Sequence, residues 1–257
     1  MLIHCTWTLT VSEPTVLPRS YSLELVKDLH NQLSLEMGEA IPSVNYSGIE
    51  GFCSISKDFL TFLPNEFYRL SLSGLQEKAA KAICDLDLSP SLNFLGAKFE
   101  VCDREDEISS YEQLYTTLVA NEPEPIRRFD LQFTTPTAFA QDRIHLPLPV
   151  PTLMFRSWLE RWNHFAPVYL GSDELVAYLG NAIALKHHQI KTRSFRLQRG
   201  YVNGFVGDVT LEVSYRTDSL LANVTNLLIQ YAQFAGTGVK TRLGMGQTKS
   251  IINLKEN

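Results

Sequence analysis

No unbroken apolar run in the 257 residues reaches the roughly 18 that a membrane-crossing helix needs, so neither a transmembrane span nor a membrane partner is expected. The opening "MLIHCTWTLTVSE" lacks the charged start and continuous apolar stretch of a signal peptide, and a cytoplasmic location is the expectation. Cysteine is scarce. Cys5, Cys53, Cys84 and Cys102 lie far apart without CxxC spacing, which suits reduced thiols and argues against a zinc site. Histidines and dispersed cysteines make no metal set, and no cofactor is expected. With 44% hydrophobic and 20% charged residues, the chain otherwise has the composition of an ordinary soluble protein, long enough for one large domain or two of about 125 residues.

Positive charge is missing from one half. Residues 1–124 hold 8 Lys and Arg against 19 Asp and Glu, a balance of −11; residues 125–257 hold 15 against 9, a balance of +6. Such asymmetry points to a polyanion met by the second half. The plainer reading is that the two halves drift in charge or attract each other. In the basic half lies "FAGTGVKTRLGMGQTK" (234–249), with Gly236, Gly238, Gly244 and Gly246, the cations Lys240, Arg242 and Lys249, and no acid. It is not a P-loop, because no Gly-Lys-Ser/Thr step follows the glycines. It still suits phosphates: the main chain can approach closely, and its N–H groups can meet phosphate oxygens. A flexible turn is the plainer alternative.

Periodicity gives the same element order twice. "IHCTWTLTV" (3–11) alternates and reads as a half-buried strand. Leu25, Leu29, Leu33 and Met37 then recur every four residues, predicting a helix over about 21–37. "YSGIEGFCSI" and "FYRLSLSGL" read as strands or hairpin arms, 75–88 as a second helix, and "LNFLGAKFEVC" (92–102) as a strand. The acidic stretch 103–126 is expected to be a connector. In the second half "RRFDLQFTT" (127–135) is a strand, and a helix starts at Pro151 with Met154, Phe155, Trp158, Trp162 and Phe165 as its apolar stripe. That stripe and the tryptophans read as core rather than as a base-stacking platform. Ser172 is placed to cap an extra helix through about Leu185. "HQIKTRSFRLQRG" and "VTLEVSYR" read as strands around a turn at Asn203–Gly207. Asp218 or Ser219 opens a last helix that Gly236 stops, and "GQTKSIINL" is a final strand. Both halves read β-α-β-β-α-β. The expected fold is α+β, two tandem ferredoxin-like (RRM-like) domains, residues 1–124 with the connector and 125–257 with the Gly-rich loop.

Three segments together resemble the CRISPR-associated endoribonucleases that process precursor crRNA, members of the RAMP superfamily: "FTTPTAFA" with "LPLPVPTLMFRSWLERWNHFAP", "LNFLGAKFEV" leading to "SSYEQLY", and the glycine stretch in the place of that family's C-terminal Gly-rich loop. The resemblance implies tandem ferredoxin-like domains. It also implies a CRISPR repeat RNA, often a short hairpin, as partner, and one metal-free cut leaving a 5′-hydroxyl and a cyclic 2′,3′- or 3′-phosphate. Subunits of a CRISPR effector complex are a further expected partner class. The phosphates of the loop would then be RNA backbone, with Gly236, Gly238, Lys240, Arg242, Gly244, Gly246 and Lys249 as binding residues. Lys186, Lys191, Arg193, Arg196 and Arg199 add cations on a strand, where the bland role is to block edge pairing. Arg127 and Arg128 are weaker candidates.

Metal-free cleavage uses the RNA's own 2′-hydroxyl and needs a proton carrier, which histidine supplies near neutrality. The family places its histidine in or just after the first helix, often assisted by Tyr or Lys. His30 is in that helix, near the edge of its buried face, with Lys27 three residues earlier. The segment after the helix, "LEMGEAIPSVNYSGIEG", has no histidine where a common family pattern has one; Tyr46 and Ser47 stand there instead. His30, Lys27 and Tyr46 are the candidate catalytic set, set against an ordinary boundary histidine. His187 and His188 read as RNA or solvent contacts, His4 as a minor candidate, and His145 and His164 as structural. Two other functions compete: a non-catalytic RAMP-type RNA-binding subunit, and a tandem ferredoxin-like metabolite-binding regulator without RNA affinity.

Overall fold

The computed structural model describes residues 1–36 and 38–251, which form two compact units. Among the described residues, the first comprises 1–36, 38–108, 196–202 and 242–244; the second comprises 109–195, 203–241 and 245–251. The chain thus divides at 108 rather than at 124, and two later segments belong to the first unit. Met37 and residues 252–254 of the expected last strand lie outside the described residues.

In the first unit the elements are β1 (Leu2–Thr10), β2 (Thr15–Pro18), α1 (Ser22–Leu33), β3 (Val44–Glu50), β4 (Ser54–Ile55), β5 (Phe59–Phe62), β6 (Tyr68–Gly74), α2 (Glu77–Asp85), β7 (Ser91–Phe94) and β8 (Ala97–Ser109). The main sheet has the order β3-β6-β1-β8-β7. Its first four strands, with α1 and α2, are the split βαβ arrangement expected from the sequence. Alternation drives it: Ile3, Cys5, Trp7 and Leu9 of β1 are buried and join Leu25, Leu29, Tyr46, Leu72 and Ile83 in one core. The helix α1 ends at Ser34, which takes the left-handed conformation (φ 53°). Two expectations are corrected. Residues 92–102 are a hairpin rather than one strand, with Leu95 and Gly96 turning the chain at positive φ. The acidic stretch is no connector: β8 runs on through Ser109, and Arg104 donates to the carbonyls of Ile83, Cys84 and Leu86 at the end of α2. A small sheet, β2-β5-β4, was not expected at all.

The second unit contains α3 (Tyr111–Tyr115) continued by a π-turn (Thr116–Ala120), β9 (Arg128–Thr137), β10 (Phe139–Gln141), β11 (Ile144–Leu146), α4 (Pro151–Phe165), α5 (Asp173–Ala182), α6 (Ser219–Ala235), β14 (Thr248–Ile251) and all but the hairpin ends of β12 (Ile183–Arg196) and β13 (Tyr201–Val213), while a 3-10 turn (Thr241–Leu243) passes into the first unit. Its sheet order, β12-β13-β9-β14, repeats the ferredoxin-like arrangement. Pro151 opens α4 at its first turn, and the Ser172 and Asp218 side chains accept the N–H groups of Glu174 and Leu220 to start α5 and α6. Trp158 and Trp162 are core residues, as expected. The hairpin turn is at 197–200, closed by Leu197 N–H to the Gly200 carbonyl, whereas 203–207 lies inside β13. The sequence hides this because β13 carries a bulge at 205–207, so its residues do not alternate cleanly.

Candidate active site and nucleic-acid interface

The Gly-rich loop is far from open. Gly236 N–H donates to the Ala232 carbonyl, Thr237 N–H to Gly246, Gly238 N–H to the Ser157 hydroxyl at 2.9 Å, Val239 N–H to Ala138 and Gly246 N–H to Pro136. Trp158 Nε1 donates to the Thr237 hydroxyl at 2.8 Å, and Arg161 to the Gly238 carbonyl at 2.7 Å. The expectation that the glycines offer their N–H groups to phosphates is therefore corrected for Gly236, Gly238 and Gly246, whose N–H groups the protein itself uses. A Cβ on Gly238 would lie 2.2 Å from the Ala138 carbonyl oxygen, so that glycine serves close backbone packing. Gly236, at φ 65°, ends α6 as expected.

The middle of the loop behaves differently. Arg242 is half-exposed and donates to the Glu39 backbone carbonyl at 2.6 Å. Its charge acts on two buried neighbours, His30 of α1 and Tyr46 of β3. The α1 helix turns His30 inward because it adjoins Leu29 on the apolar stripe, and only 5% of its surface is exposed. Its Nδ1 is hydrogen-bonded to the Tyr46 hydroxyl, and Tyr46 is wholly buried. Burial first, and the Arg242 charge second, hold His30 below its ordinary pKa of 6.5, while the Glu39 charge and a backbone hydrogen bond to Glu36 pull the other way. Burial raises Tyr46 far above the ordinary phenol range, with Arg242 opposing. Both groups are thus neutral near pH 7: a proton acceptor at the imidazole, a held hydroxyl and an adjacent fixed cation.

The structure brings His30, Tyr46 and Arg242 together and leaves Lys27 out. Lys27 lies on the exposed side of α1, paired to Glu24 at 3.0 Å. Ser47 is buried, and its hydroxyl accepts Ser71 N–H at 2.8 Å. His4 Nδ1 is bonded to the Ser73 hydroxyl at 2.8 Å. Lys186, His187, His188, Lys191, Arg193 and Arg196 are all exposed along β12, with Lys186 paired to Glu212 at 3.2 Å. Arg199 is exposed at the hairpin turn, and Arg196 sits over the Tyr201 ring, 5.7 Å from its centroid. Lys240 is half-exposed with φ 57°, and Lys249 is exposed on β14. Arg127 is spent on the Ser214 and Thr217 carbonyls. Sequence reasoning put Arg242 among the phosphate binders without seeing it beside His30, and it missed Glu39. No local pattern joins positions about 200 residues apart, although the odd cation between glycine pairs was the available signal.

The sequence profile of the CRISPR-associated endoribonuclease Cas6 matches residues 131–248. A Cas6 of that description from Mycobacterium tuberculosis (strain CDC 1551 / Oshkosh) is 29% identical over 120 residues, 47% of this chain; the chain spans only 38% of that relative's length. A Streptococcus thermophilus Cas6 is 26% identical over 132 residues, 51% of this chain and 54% of its own. The fold is similar along nearly the whole chain to a Cas6 in a substrate-mimic complex, with TM-score 0.72, 22% identity, and coverage of 98% of this chain and 100% of the other. The family resemblance read from the sequence, and the tandem ferredoxin-like fold, are borne out.

Proposed function

We propose that the chain is an endoribonuclease that binds CRISPR repeat RNA and cuts precursor crRNA by attack of the RNA's own 2′-hydroxyl. The observation that carries this reading is the meeting of His30, Tyr46 and Arg242. His30 is the general base: neutral at pH 7 and oriented by Tyr46, it takes the 2′-hydroxyl proton. The 2′-oxygen bonds to phosphorus and the P–O5′ bond breaks. The products are a 2′,3′-cyclic phosphate and, after proton uptake by the leaving oxygen, a 5′-hydroxyl. Arg242 offsets the charge that builds on the phosphorane oxygens, a role in which a fixed cation is worth most where water is excluded. Tyr46, being wholly buried, acts by orienting His30 rather than by touching RNA. The exposed cations Lys186, Lys191, Arg193, Arg196, Arg199 and Lys249, with the half-exposed Lys240, track the phosphate backbone, while Gly236, Gly238, Gly244 and Gly246 shape the loop that carries Lys240 and Arg242. Lys27 has at most a peripheral part in binding. No metal or cofactor takes part in this scheme, and the cytoplasm, where repeat transcripts are made, is the compartment it requires.

The deciding experiment is single-turnover cleavage of a repeat RNA with EDTA present, beside the same RNA carrying one 2′-deoxy nucleotide at the cut. Cleavage of the first with cyclic or 3′-phosphate ends, and none of the second, is expected. A cut 2′-deoxy substrate would refute the mechanism; binding without any cut would favour a non-catalytic RNA-binding subunit.

A further inference from the structure

We infer that residues 242–244 are seated on the first unit at three points, and that Leu243 and Gly244 are positioning residues whose work is to fix Arg242 against the His30–Tyr46 pair. The assignment of a catalytic role to Arg242 rests on the function proposed above; the seat itself does not. The first point is the hydrogen bond from Arg242 to the Glu39 carbonyl. The second is Leu243, whose side chain packs on the apolar core that contains Leu25, Leu29 and Tyr46. The third is Gly244. At φ 104° it lies so close to β3 that a Cβ would stand 3.0 Å from the Ser47 carbonyl oxygen and 3.3 Å from Gly48 N.

The place it meets is specialised. The pairing of β3 with β6 shifts register between Tyr46 and Ile49, so Ser47 and Gly48 form a bulge. The bulge is tied down from both sides. The Ser47 hydroxyl accepts Ser71 N–H, and the Tyr21 hydroxyl accepts Ile49 N–H at 2.7 Å. It therefore offers a tied-down backbone face next to Tyr46, and a side chain at Gly244 would crowd it. Glu39 is rigid too, because its carboxylate accepts Ser43 N–H at 2.7 Å and the Gln76 amide at 3.2 Å. A long arginine side chain anchored at both its own carbonyl partner and its next two residues loses little further freedom when RNA arrives, which is the requirement for preorganised charge.

The test reads His30 directly. Histidine-labelled protein without RNA is titrated by NMR, with the His30 signal assigned by its loss in His30→Gln. The groups that set this titration are Tyr46 on β3, the Arg242 guanidinium, the Glu39 carboxylate and the Glu36 carbonyl. Leu243→Ala and Gly244→Ala should each move His30 upward, in the direction given by Arg242→Gln. Neither should move it further when added to Arg242→Gln. In single-turnover cleavage each should slow the reaction by up to about 10²-fold, the scale for a misplaced catalytic group, with binding of the 2′-deoxy repeat much less affected. Gly96→Ala is the control for backbone strain alone, since Gly96 has φ 77° with nothing within 4 Å of an added Cβ; it should leave both readouts unchanged. Should Gly244→Ala fail to fold, Leu243→Ala, which adds no backbone strain, carries the test. An unmoved His30 in the folded variants, or rate losses that simply add to that of Arg242→Gln, would overturn the seat. If the wild type cuts no RNA, the proposed function falls, and the titrations still decide the seat.

Discussion

His30 ties the proposed chemistry to the stability of the first unit. A histidine depressed below 6.5 binds its proton less readily folded than unfolded. Its contribution to stability is therefore complete above about pH 6.5 and is lost as the pH falls through the folded value. The urea midpoint of the wild type should drop on acidification below that point, and His30→Gln should flatten the slope; equal slopes would mean that His30 is not held neutral by its surroundings. If His30 is the general base proposed above, it should set the acid limb of cleavage, and the rate should rise with pH below about 6.5. His30→Ala should slow single-turnover cleavage by about 10²–10⁴-fold with repeat RNA still bound. Tyr46→Phe keeps the ring and removes only the hydroxyl that meets Nδ1. It should cost less rate than His30→Ala and shift the pH profile, a change visible in the same assay.

At the level of elements, the Gly-rich loop is a packed part of the structure. Gly238→Ala should destabilise the protein by about 1–3 kcal/mol, because the new methyl meets the Ala138 carbonyl. Gly200→Ala, with φ 81° and open space, should cost only its backbone strain of about 1–2 kcal/mol. Calorimetric melting of the two variants separates packing from flexibility. The loop also shows where sequence reading stops. Strands and helices announced themselves through periods of two and 3.6 at β1, α1, α4 and α6, and the capping residues Pro151, Ser172 and Asp218 stood where the helices begin. The β7–β8 hairpin did not, since Leu95 rather than glycine or asparagine occupies its first positive-φ position. Nor did the true turn of the β12–β13 hairpin, which the bulge in β13 disguised. At the candidate site, the place of His30 at the buried face of α1 was legible from the helix period, and Tyr46 from the segment that follows. That Lys27 pairs with Glu24 on the outer side of α1 was not legible, and the company Arg242 keeps with His30 is long-range information that no local spacing encodes.

For the molecule as a whole, the proposed function puts the cations of the basic second half on RNA phosphates, and RNA affinity should then depend on salt. Replacing Lys191 and Arg193 by Ala should weaken binding and reduce the slope of log affinity against log salt by about 1–2, the scale for two lost phosphate contacts. An unchanged slope in a filter-binding titration would remove β12 from the phosphate track. A last consequence concerns time. A stretch with four glycines in sixteen residues looks like the most mobile part of the chain, yet the amides of Gly236, Thr237, Gly238, Val239 and Gly246 all donate to fixed acceptors within the second unit. In deuterated water these protons should be among the slowest to exchange, released only by openings as large as those that free the core helix α6. What reads as a hinge should keep the clock of the protein's interior.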